Sequence, residues 1–341
     1  MTNGYEYDYV TRTSQNQGVL QATGFVNKEH INSAGVWSLG LLQMDFFYRY
    51  KPWYAGQFVR KITPNIELTK NSILYMTALL NKQKGNLLSV LVRDVDEKFR
   101  KTVVKLPMKN GNIDFDFIDG FIAELEAERI AELEAYLTAA GLKDYELTPQ
   151  EQKAINNYQN IKFIDFKVTD IFTVKNTGNI LSRDIIENSG NTPYLCASRE
   201  NNSVSSYVSY NSEYLENGNC IFIGGKTFVV TYQEYDFYSN DSHNLILYLN
   251  DENNRDKLTQ LYLATCINKS LGHNYSWGDS ISNKKIQNDR VTLPEKNGKP
   301  DFSSMTSLIS AIQKLVIKDV VQYTERRSST FKKVKGKNIP C

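Results

Sequence analysis

The phrase "LPMKNGNIDF", residues Leu106–Phe115, returns later in the chain as "LPEKNGKPDF", residues Leu293–Phe302. The two copies lie 187 positions apart, and the same offset aligns Tyr75 with Tyr262 without a gap. Each copy stands directly before a long segment whose apolar residues recur with helical spacing. A repeat with so long a period indicates a duplicated domain rather than a solenoid of short units.

A second pair of similar segments extends the duplication towards the N-terminus. "YVTRTSQNQGV", Tyr9–Val19, aligns with "YLCASRENNSV", Tyr194–Val204, at an offset of 185, so a two-residue indel separates the two alignments. Both halves contain short runs of aromatic and β-branched residues, which are typical of strands, and a run with helical spacing. We therefore predict an α+β fold with two related domains, residues 1–107 and 160–294.

The first domain is N-terminally shortened relative to the second. Before Tyr194 the second copy contains the strand-like segment "FKVTDIFTV", whereas only "MTNGYEYD" stands before Tyr9. A missing strand leaves an open sheet edge that invites another chain. Two interpretations follow: a segment of a partner protein completes the first domain, or that domain tolerates a shorter start.

Two long helices are predicted, over residues 115–142 and 303–327, and a basic tail follows at 328–341. The charged residues of the first helix are mainly Asp and Glu, and those of the second are mainly Lys and Arg. Opposite charge and matched apolar stripes predict that the helices pack as an antiparallel coiled coil with pseudo-twofold symmetry. The alternative is two separate amphipathic helices, each covering its own domain.

The composition narrows the class of protein. A formal net charge of +2 over 341 residues indicates no overall attraction to polyanions, so any basic surface must be local. The four cysteines form no C-x-x-C pair and the three histidines lack metal-ligand spacing, which predicts a reduced protein without a metal site. Neither a signal-peptide core nor an apolar run of about 18 residues is present. These features predict a cytoplasmic protein that does not enter a membrane.

Three segments of the second half carry a resemblance to a known family: "TPYLCASRENNSV" at 192–204, "ENGNCIFIGG" at 216–225 and "NYSWGDSISNKKIQNDRVTLP" at 274–294, followed by the amphipathic helix. With their counterparts in the first half, they make the chain resemble the specificity subunit of type I restriction-modification systems. The closest resemblance is to the small recognition subunit of type IIB, BcgI-type systems. In that family two target-recognition domains alternate with two long helices that form an antiparallel coiled coil.

The resemblance implies a non-catalytic DNA-specificity subunit. Each domain would read one half of a bipartite, asymmetric site in double-stranded DNA. The helix pair would set the spacer and dock a methyltransferase, or a combined methyltransferase-nuclease, that modifies adenine. S-adenosylmethionine and Mg²⁺ would be bound by that partner and not by this chain. A coiled coil of about 24 residues spans roughly 36 Å, which is about one turn of B-DNA.

The candidate DNA contacts fall into two groups. Side chains able to bond a base in bidentate fashion cluster after the repeated strand of each half: Arg12, Gln15, Asn16 and Gln17, and Arg199, Asn201 and Asn202. The alternative interpretation of each cluster is an Asn-rich turn that caps a strand. Candidate phosphate contacts, which position the protein without specifying sequence, are basic residues elsewhere: Arg49, Lys51, Arg60, Lys61, Lys226, Lys284 and Lys285. Their alternative role is that of solvated surface charges.

An enzymatic function is the competing hypothesis. "NTPYL", at 191–195, is similar to the N-P-P-Y signature of adenine methyltransferases, but Thr192 replaces the first proline and no Gly-rich cofactor loop is found. No catalytic and no metal-binding residue is therefore predicted. The remaining alternatives to a specificity subunit are a stand-alone DNA-modifying enzyme and a two-headed coiled-coil adaptor.

Overall fold

The computed structural model describes residues 2–337, with side chains for residues 2–330. Two compact units are present: one contains residues 2–135 and 324–337, and the other contains residues 136–323. Both units combine helices with small β-sheets, in agreement with the predicted α+β class. None of the described helices has the length and apolar character needed to cross a membrane.

The first unit is built from short strands followed by helices. Its strands are β1 Tyr7–Val10, β2 Val19–Thr23, β3 Ile31–Asn32, β4 Val36–Gly40, β5 Asp45–Arg49, β6 Trp53–Ala55, β7 Val59–Ile62, β8 Met108–Lys109 and β9 Asn112–Ile113. Its helices are α1 Lys70–Asn81, α2 Lys84–Leu88, α3 Val95–Arg100 and most of α4 Phe115–Ala139. The sheets have the orders β2-β1-β6-β3, β5-β4-β7 and β8-β9.

The second unit follows the same plan with additional elements at its start. Its elements in chain order are α5 Pro149–Asn157, β10 Phe163–Lys167, α6 Val168–Ile171, β11 Phe172–Asn176, β12 Thr192–Leu195, β13 Val204–Val208, β14 Cys220–Gly224, β15 Val229–Gln233, β16 Tyr238–Ser239, β17 Leu245–Leu249, α7 Lys257–Leu271, α8 Asn283–Ile286, β18 Arg290–Lys296, β19 Lys299–Pro300 and most of α9 Phe302–Lys337. Residues 324–337 of α9 belong to the first unit. The sheet orders are β13-β12-β16, β11-β17-β14-β15 and β10-β18-β19.

The strand pairing demonstrates the internal duplication. Strand β1 pairs antiparallel with β2 and parallel with β6, and β12 pairs in the same two ways with β13 and β16. Strand β4 lies between β5 and β7, as β14 lies between β15 and β17. The segment "FKVTDIFTV", predicted as one strand, is instead a strand, a single helical turn and a second strand, because Val168 and Ile171 both turn inwards to the core.

The repeated KNG tripeptide forms a tight hairpin in both units. Asn110 and Gly111 have φ angles of 51° and 82°, and Asn297 and Gly298 have φ angles of 55° and 76°. Two successive left-handed residues define the hairpin turn that suits the twist of the flanking strands, and Asn-Gly is its preferred sequence. The repeat therefore encodes the β8–β9 and β18–β19 hairpins.

The aspartate of the same phrase starts each long helix. Asp114 Oδ1 accepts a hydrogen bond from the backbone N–H of Phe117 at 3.0 Å, and Asp301 Oδ1 accepts one from Ser304 at 3.1 Å. These bonds satisfy N–H groups that have no partner inside the helix. Each copy of the phrase is therefore a hairpin joined to a helix cap.

The long helices differ in extent from the sequence prediction. Helix α4 ends at Ala139 rather than at residue 142, because Gly141 adopts a φ of 66°. Helix α9 continues to Lys337 rather than stopping at residue 327, since no proline interrupts residues 328–337. Residues 338–341 of the predicted basic tail lie outside the described residues. The predicted apolar stripe of α4 is only partly buried: Ile118 is inaccessible, whereas Tyr136 is 63% exposed.

Candidate nucleic-acid interface

In the first unit, the loop after β1 touches the turn of the β4–β5 hairpin. In the second unit, the loop after β12 touches the turn of the β14–β15 hairpin in the same way. In the first unit, a Cβ placed on Gly40 would lie 3.1 Å from the Cα of Arg12. In the second unit, a Cβ on Gly224 would lie 2.6 Å from the Cβ of Ala197, and Thr227 Oγ1 donates to the Ala197 carbonyl at 2.9 Å. Glycine at the end of β4 and of β14 thus permits the loop to pack against the hairpin.

A polar groove of about 720 Å³ opens at this junction in the first unit. Its lining residues come from three loops: Tyr9, Thr11, Arg12, Thr13, Ser14, Gln15, Leu42, Gln43 and Gln57. The Arg12 guanidinium lies 5.4 Å from the ring centre of Phe58, which orients the side chain beside the groove. Arginine and glutamine are the side chains that bond guanine and adenine edges in bidentate fashion, so the groove has the chemistry of base reading.

Two glutamines of the groove were not predicted from the sequence. Gln43 lies in the β4–β5 turn and Gln57 lies between β6 and β7, far in sequence from the Arg12 loop. Their positions directly after strand segments were the available signal, but only the sheet order brings the three loops together.

Asn16, Asn201 and Asn202, which were predicted as base contacts, use their side-chain amides to hold the loops after β1 and β12 in shape. Asn16 Nδ2 donates to the carbonyl of Val19 at 3.1 Å, and Asn201 Nδ2 donates to that of Val204 at 3.0 Å, so the same bond recurs in both units. Asn202 Nδ2 donates to a carbonyl of β15 at 2.9 Å. The three residues have φ angles of 45°, 46° and 51°, a conformation that asparagine tolerates well. For these amides the structure favours the alternative interpretation, an Asn-rich turn that shapes the loop.

Arg49 is also structural and is withdrawn from the predicted phosphate contacts. The residue is only 3% exposed. Its guanidinium donates to Ser38 Oγ at 2.6 and 2.9 Å and to the carbonyl of Gln17. Burial, partly offset by the Asp8 carboxylate, lowers the pKa of Arg49 to about 10. These bonds make Arg49 an internal anchor of the loop. Because the side chain is buried, no DNA phosphate can reach it.

The other predicted phosphate contacts are accessible. Four of them form surface ion pairs: Lys51 with Asp8 at 2.7 Å, Arg60 with Asp96 at 3.0 Å, Lys226 with Asp241 at 3.6 Å and Lys285 with Asp279. Such exposed pairs contribute about 0–1 kcal/mol each, so they can give way to a phosphate. Lys61 and Lys284 are exposed, and neither pairs with an acidic side chain among residues 2–330. Arg199, which was predicted as a base contact, is also exposed.

In the second unit the structure brings two groups of basic residues near one hairpin. The loop at 196–203, with Arg199, touches the β14–β15 turn that carries Lys226. Phe228 of that turn stacks on Tyr275 with ring centres 5.3 Å apart, and Lys285 Nζ lies 5.8 Å from the Tyr275 ring centre. Lys285 of α8 is therefore linked through Tyr275 to the turn that carries Lys226.

Tyr194 and Cys220, two groups that could carry chemistry if they were exposed, lie in the core of the second unit. Within the described residues, no group of His, Cys, Asp and Glu side chains could hold a metal ion. Tyr194 of the "NTPYL" segment is 2% exposed, and its hydroxyl donates to the Ile180 carbonyl at 2.6 Å, so it is a core residue. Burial raises the pKa of the Cys220 thiol to about 12, which leaves no reactive thiolate there.

A family model described as the type I restriction modification DNA specificity domain matches residues 1–135 and 160–323. The chain belongs to this DNA-specificity family. The two matched ranges correspond to the two related halves, so the predicted pair of tandem specificity domains is confirmed. The predicted function, that of a non-catalytic DNA-specificity subunit of a restriction-modification system, is confirmed by the same match. No curated protein matches the sequence.

The fold is shared with one solved specificity-subunit structure at low sequence identity, and two further solved structures align with most of this chain. The crystal structure of the type I restriction-modification system S subunit from M. genitalium is 13% identical, with a TM-score of 0.56, and the alignment covers 99% of this chain and 88% of that chain. The HsdS subunit from Thermoanaerobacter tengcongensis is 11% identical, with a TM-score of 0.33 and coverages of 94% and 84%. A structure described as showing complex assembly and conformational transition of the type I R-M system is 12% identical, with a TM-score of 0.40 and coverages of 96% and 88%.

Proposed function

We propose that each unit of this DNA-specificity protein reads one half of a bipartite, asymmetric DNA target. The observation that carries the proposal is the loop-and-hairpin junction that occurs in both units with different polar side chains. The first unit presents Arg12, Gln15, Gln43 and Gln57. The second unit presents Arg199 and Lys226 with neighbouring lysines of α8. Because direct readout depends on side-chain identity, two different sets of residues should select two different half-sites.

The two long helices are proposed to form the antiparallel coiled coil that fixes the spacer between the half-sites. In the first unit, Glu126 of α4 forms an ion pair with Arg327 of α9. In the second unit, Lys314 of α9 pairs with Asp144, shortly after the end of α4, at 2.7 Å. Glu126 comes before Asp144 in the chain, but its partner Arg327 comes after Lys314, the partner of Asp144. The two segments therefore run in opposite directions, which supports the antiparallel coiled coil.

The helices are also proposed to dock the catalytic partner. Helix α9 exposes the side chains of Ile312, Leu315 and Val316, with Val316 at 74%, and α4 exposes Phe117 and Phe121. Exposed apolar side chains on helices mark surfaces that another protein covers. The proposed partner is an adenine methyltransferase, or a combined methyltransferase-nuclease as in BcgI-type systems, acting in the cytoplasm. It would supply S-adenosylmethionine and Mg²⁺ for the chemistry on the flipped base.

Selection from a random pool of duplex DNA by the purified complex tests this proposal. The expected product is a motif with two specified blocks, different from one another, separated by unspecified bases over about one helical turn. The chain alone should show weaker binding with the same preference. A single continuous motif, or enrichment of no sequence at all, would contradict the proposal.

A further inference from the structure

The loop at residues 274–282 of the second unit carries a tight turn with a tryptophan at its tip. Ser276 N–H donates to the Asp279 carbonyl at 3.3 Å, and Asp279 N–H donates to the Ser276 carbonyl at 3.1 Å. These reciprocal bonds leave Trp277 and Gly278 as the two residues of the turn. The Trp277 side chain is 79% exposed, more than any other large apolar side chain described in the second unit.

The base of this loop is fixed to the core of the unit. Tyr275, directly before the turn, stacks on Phe228 with ring centres 5.3 Å apart, and its hydroxyl donates to the Asp289 carboxylate. After the turn, the buried side chains of Ile281 and Ile286 both belong to the main core cluster. Because the loop is anchored on both sides of the turn, the turn is a preorganised support for its exposed ring.

The tip of the turn stands clear of the rest of the unit. A Cβ placed on Gly278 would have no atom of the described residues within 4 Å. The other two tryptophans of the chain, Trp37 and Trp53, are buried in cores. Tryptophan on a fixed support offers a partner a large contact area at a low cost in conformational entropy. The position of Trp277 is therefore typical of a contact residue.

The charges around the turn favour DNA as the partner. Lys285 Nζ donates to the Ser280 carbonyl at 2.8 Å and pairs with Asp279, so this cation lies against the loop. Lys284 is exposed beside it. The stacked rings at the base of the loop connect it to the turn that carries Lys226. Lysines contact DNA phosphates, whereas an aromatic ring stacks on bases, so the two kinds of side chain suit the same ligand.

We propose that Trp277 inserts its ring between two neighbouring base pairs of the DNA that the second unit reads, while Lys284 and Lys285 contact the phosphates beside the opening. The assignment of this DNA to one half-site rests on the proposed function. A two-residue turn is narrow enough to enter a DNA groove, and an apolar ring gains more from stacking on bases than from lying on phosphates. Insertion should unstack one base step and kink the duplex.

The insertion belongs to one unit only. At the offset of 187 that relates the repeated phrases, Trp277 aligns with Val90, which is partly buried against the core of the first unit. We therefore expect this kink in one half-site and not in the other. Pyrimidine–purine steps such as TA and CA are the easiest to unstack, so one of them should be preferred at the point of insertion.

Tryptophan fluorescence of the full chain tests the insertion, because Trp277 is exposed whereas Trp37 and Trp53 are buried. The probe is the duplex enriched from a random pool, and a shuffled duplex of the same length is the control. The enriched duplex should lower iodide quenching by about threefold or more, because a stacked ring is shielded from solvent. Trp277→Phe should remove the quenchable emission. Unchanged quenching in the bound chain would overturn the insertion and leave DNA specificity intact.

Permanganate oxidation of unstacked thymines locates the opened step. The chain is used without a methyltransferase subunit, so that no base is flipped by the partner. One thymine beside the half-site of the second unit should become reactive with the unaltered chain and with Trp277→Phe, which keeps an aromatic ring. Trp277→Ala should abolish this reactivity. The same reactive thymine with Trp277→Ala would overturn the proposal.

A matched pair of alanine variants measures the contribution to affinity. Tyr235 is 71% exposed and follows β15, so it lies at the opposite end of the β14–β15 pair from the Lys226 turn. Trp277→Ala should weaken binding of the enriched duplex about tenfold, since one stacking contact is lost, whereas Tyr235→Ala should change it less than about twofold. Both variants should keep the melting temperature of the unaltered chain. Equal affinities of the two variants would contradict insertion.

The methyltransferase subunit is the alternative partner of Trp277. If Trp277→Ala weakens binding of that subunit and leaves affinity for the enriched duplex unchanged, the ring contacts protein and the insertion is overturned. Failure of the unaltered chain, alone and in its complex, to enrich any sequence would contradict the proposed function itself, and with it the half-site in which the insertion is placed.

Discussion

At the scale of single residues, position decides which polar side chains can read DNA. The sequence predicts DNA contacts for Arg12 and Gln15, which both line the groove, because a polar loop directly after a repeated strand is a usual place for contacts. It could not separate them from Asn16, whose amide is used by its own loop, or from Arg49, which is buried. Those distinctions depend on φ angles and burial, which no residue pattern shows.

The groove of the first unit provides the first prediction. Gln43→Ala and Gln57→Ala should each relax the preference for one base in one half-site, with a loss of discrimination of about 1–3 kcal/mol, while the other half-site stays unchanged. Competition binding against singly substituted duplexes measures this. The control is Gln152→Ala, which removes an exposed glutamine of α5 whose side-chain amide donates to Asn156 Oδ1 at 3.0 Å. A uniform loss of affinity for all sequences would argue against base reading by these residues.

Arg49 provides the second prediction. Arg49→Ala should destabilise the first unit by about 2–3 kcal/mol, because it leaves Ser38 and the Gln17 carbonyl without their charged donor. Lys51→Ala, which removes a surface pair with Asp8, should cost less than about 1 kcal/mol. Urea unfolding of the two variants gives the comparison. Arg49 would be a DNA contact after all if its variant kept full stability and lost DNA affinity alone.

At the scale of elements, the KNG repeat and the long helices were predictable because turn and cap residues act locally. The segment after α4 is polar, yet it contains helix α5. Thr148 and Glu151 form a capping box there: Glu151 N–H donates to Thr148 Oγ1 at 3.2 Å, and Thr148 N–H donates to Glu151 Oε2 at 2.7 Å. The T-x-x-E signal was present in the sequence, but polar composition hid it.

The same glutamate yields a pH prediction. Burial alone would raise the pKa of Glu151, but hydrogen bonds from Ser310, Thr148 and Lys314 outweigh it and lower the pKa to about 2. Because this pKa lies below the ordinary value of 4.5, the charged form stabilises the folded unit fully above about pH 4.5, and this stabilisation is lost as pH falls towards 2. Thermal melting between pH 6 and pH 3 should therefore show a shallower decline for Glu151→Gln than for the unaltered chain.

The prediction is supported if the melting temperature of Glu151→Gln falls less steeply with pH than that of the unaltered chain. Gln150→Glu adds a carboxylate at an exposed neighbouring position and serves as the control, since it should leave the slope nearly unchanged. Identical pH profiles for Glu151→Gln and the unaltered chain would show that the bonds of Ser310 and Lys314 to Glu151 do not stabilise the folded unit.

At the scale of the whole molecule, the duplication could be predicted from the sequence because it preserves local signals at a fixed offset. The strand pairing that completes each sheet could not be predicted from the sequence, because pairs such as β10 with β18 join residues far apart in the chain. The groove of the first unit could not be predicted for the same reason, because it is lined by three loops that only the sheet order brings together.

The proposed spacer function gives a prediction at this scale. Inserting four residues after Leu133, about one helical turn of 5.4 Å, should lengthen the preferred spacer by roughly one to two base pairs or abolish activity. The bases read in each half should stay the same. Sequencing of methylated sites measures the spacer, and the same insertion in the exposed loop after Lys28 is the control. An unchanged spacer with full activity would show that the helices do not set the distance.

If the two units read their half-sites independently, exchanging the recognition region of one unit should alter only the half-site that this unit reads. Residues 194–294 are replaced by the equivalent region of a family member with a different target, and the methylated sequence of the resulting complex is determined. One half of the recognised sequence should change to that of the donor, while the other half and the spacer should persist. A change in both halves would contradict independent reading by the two units.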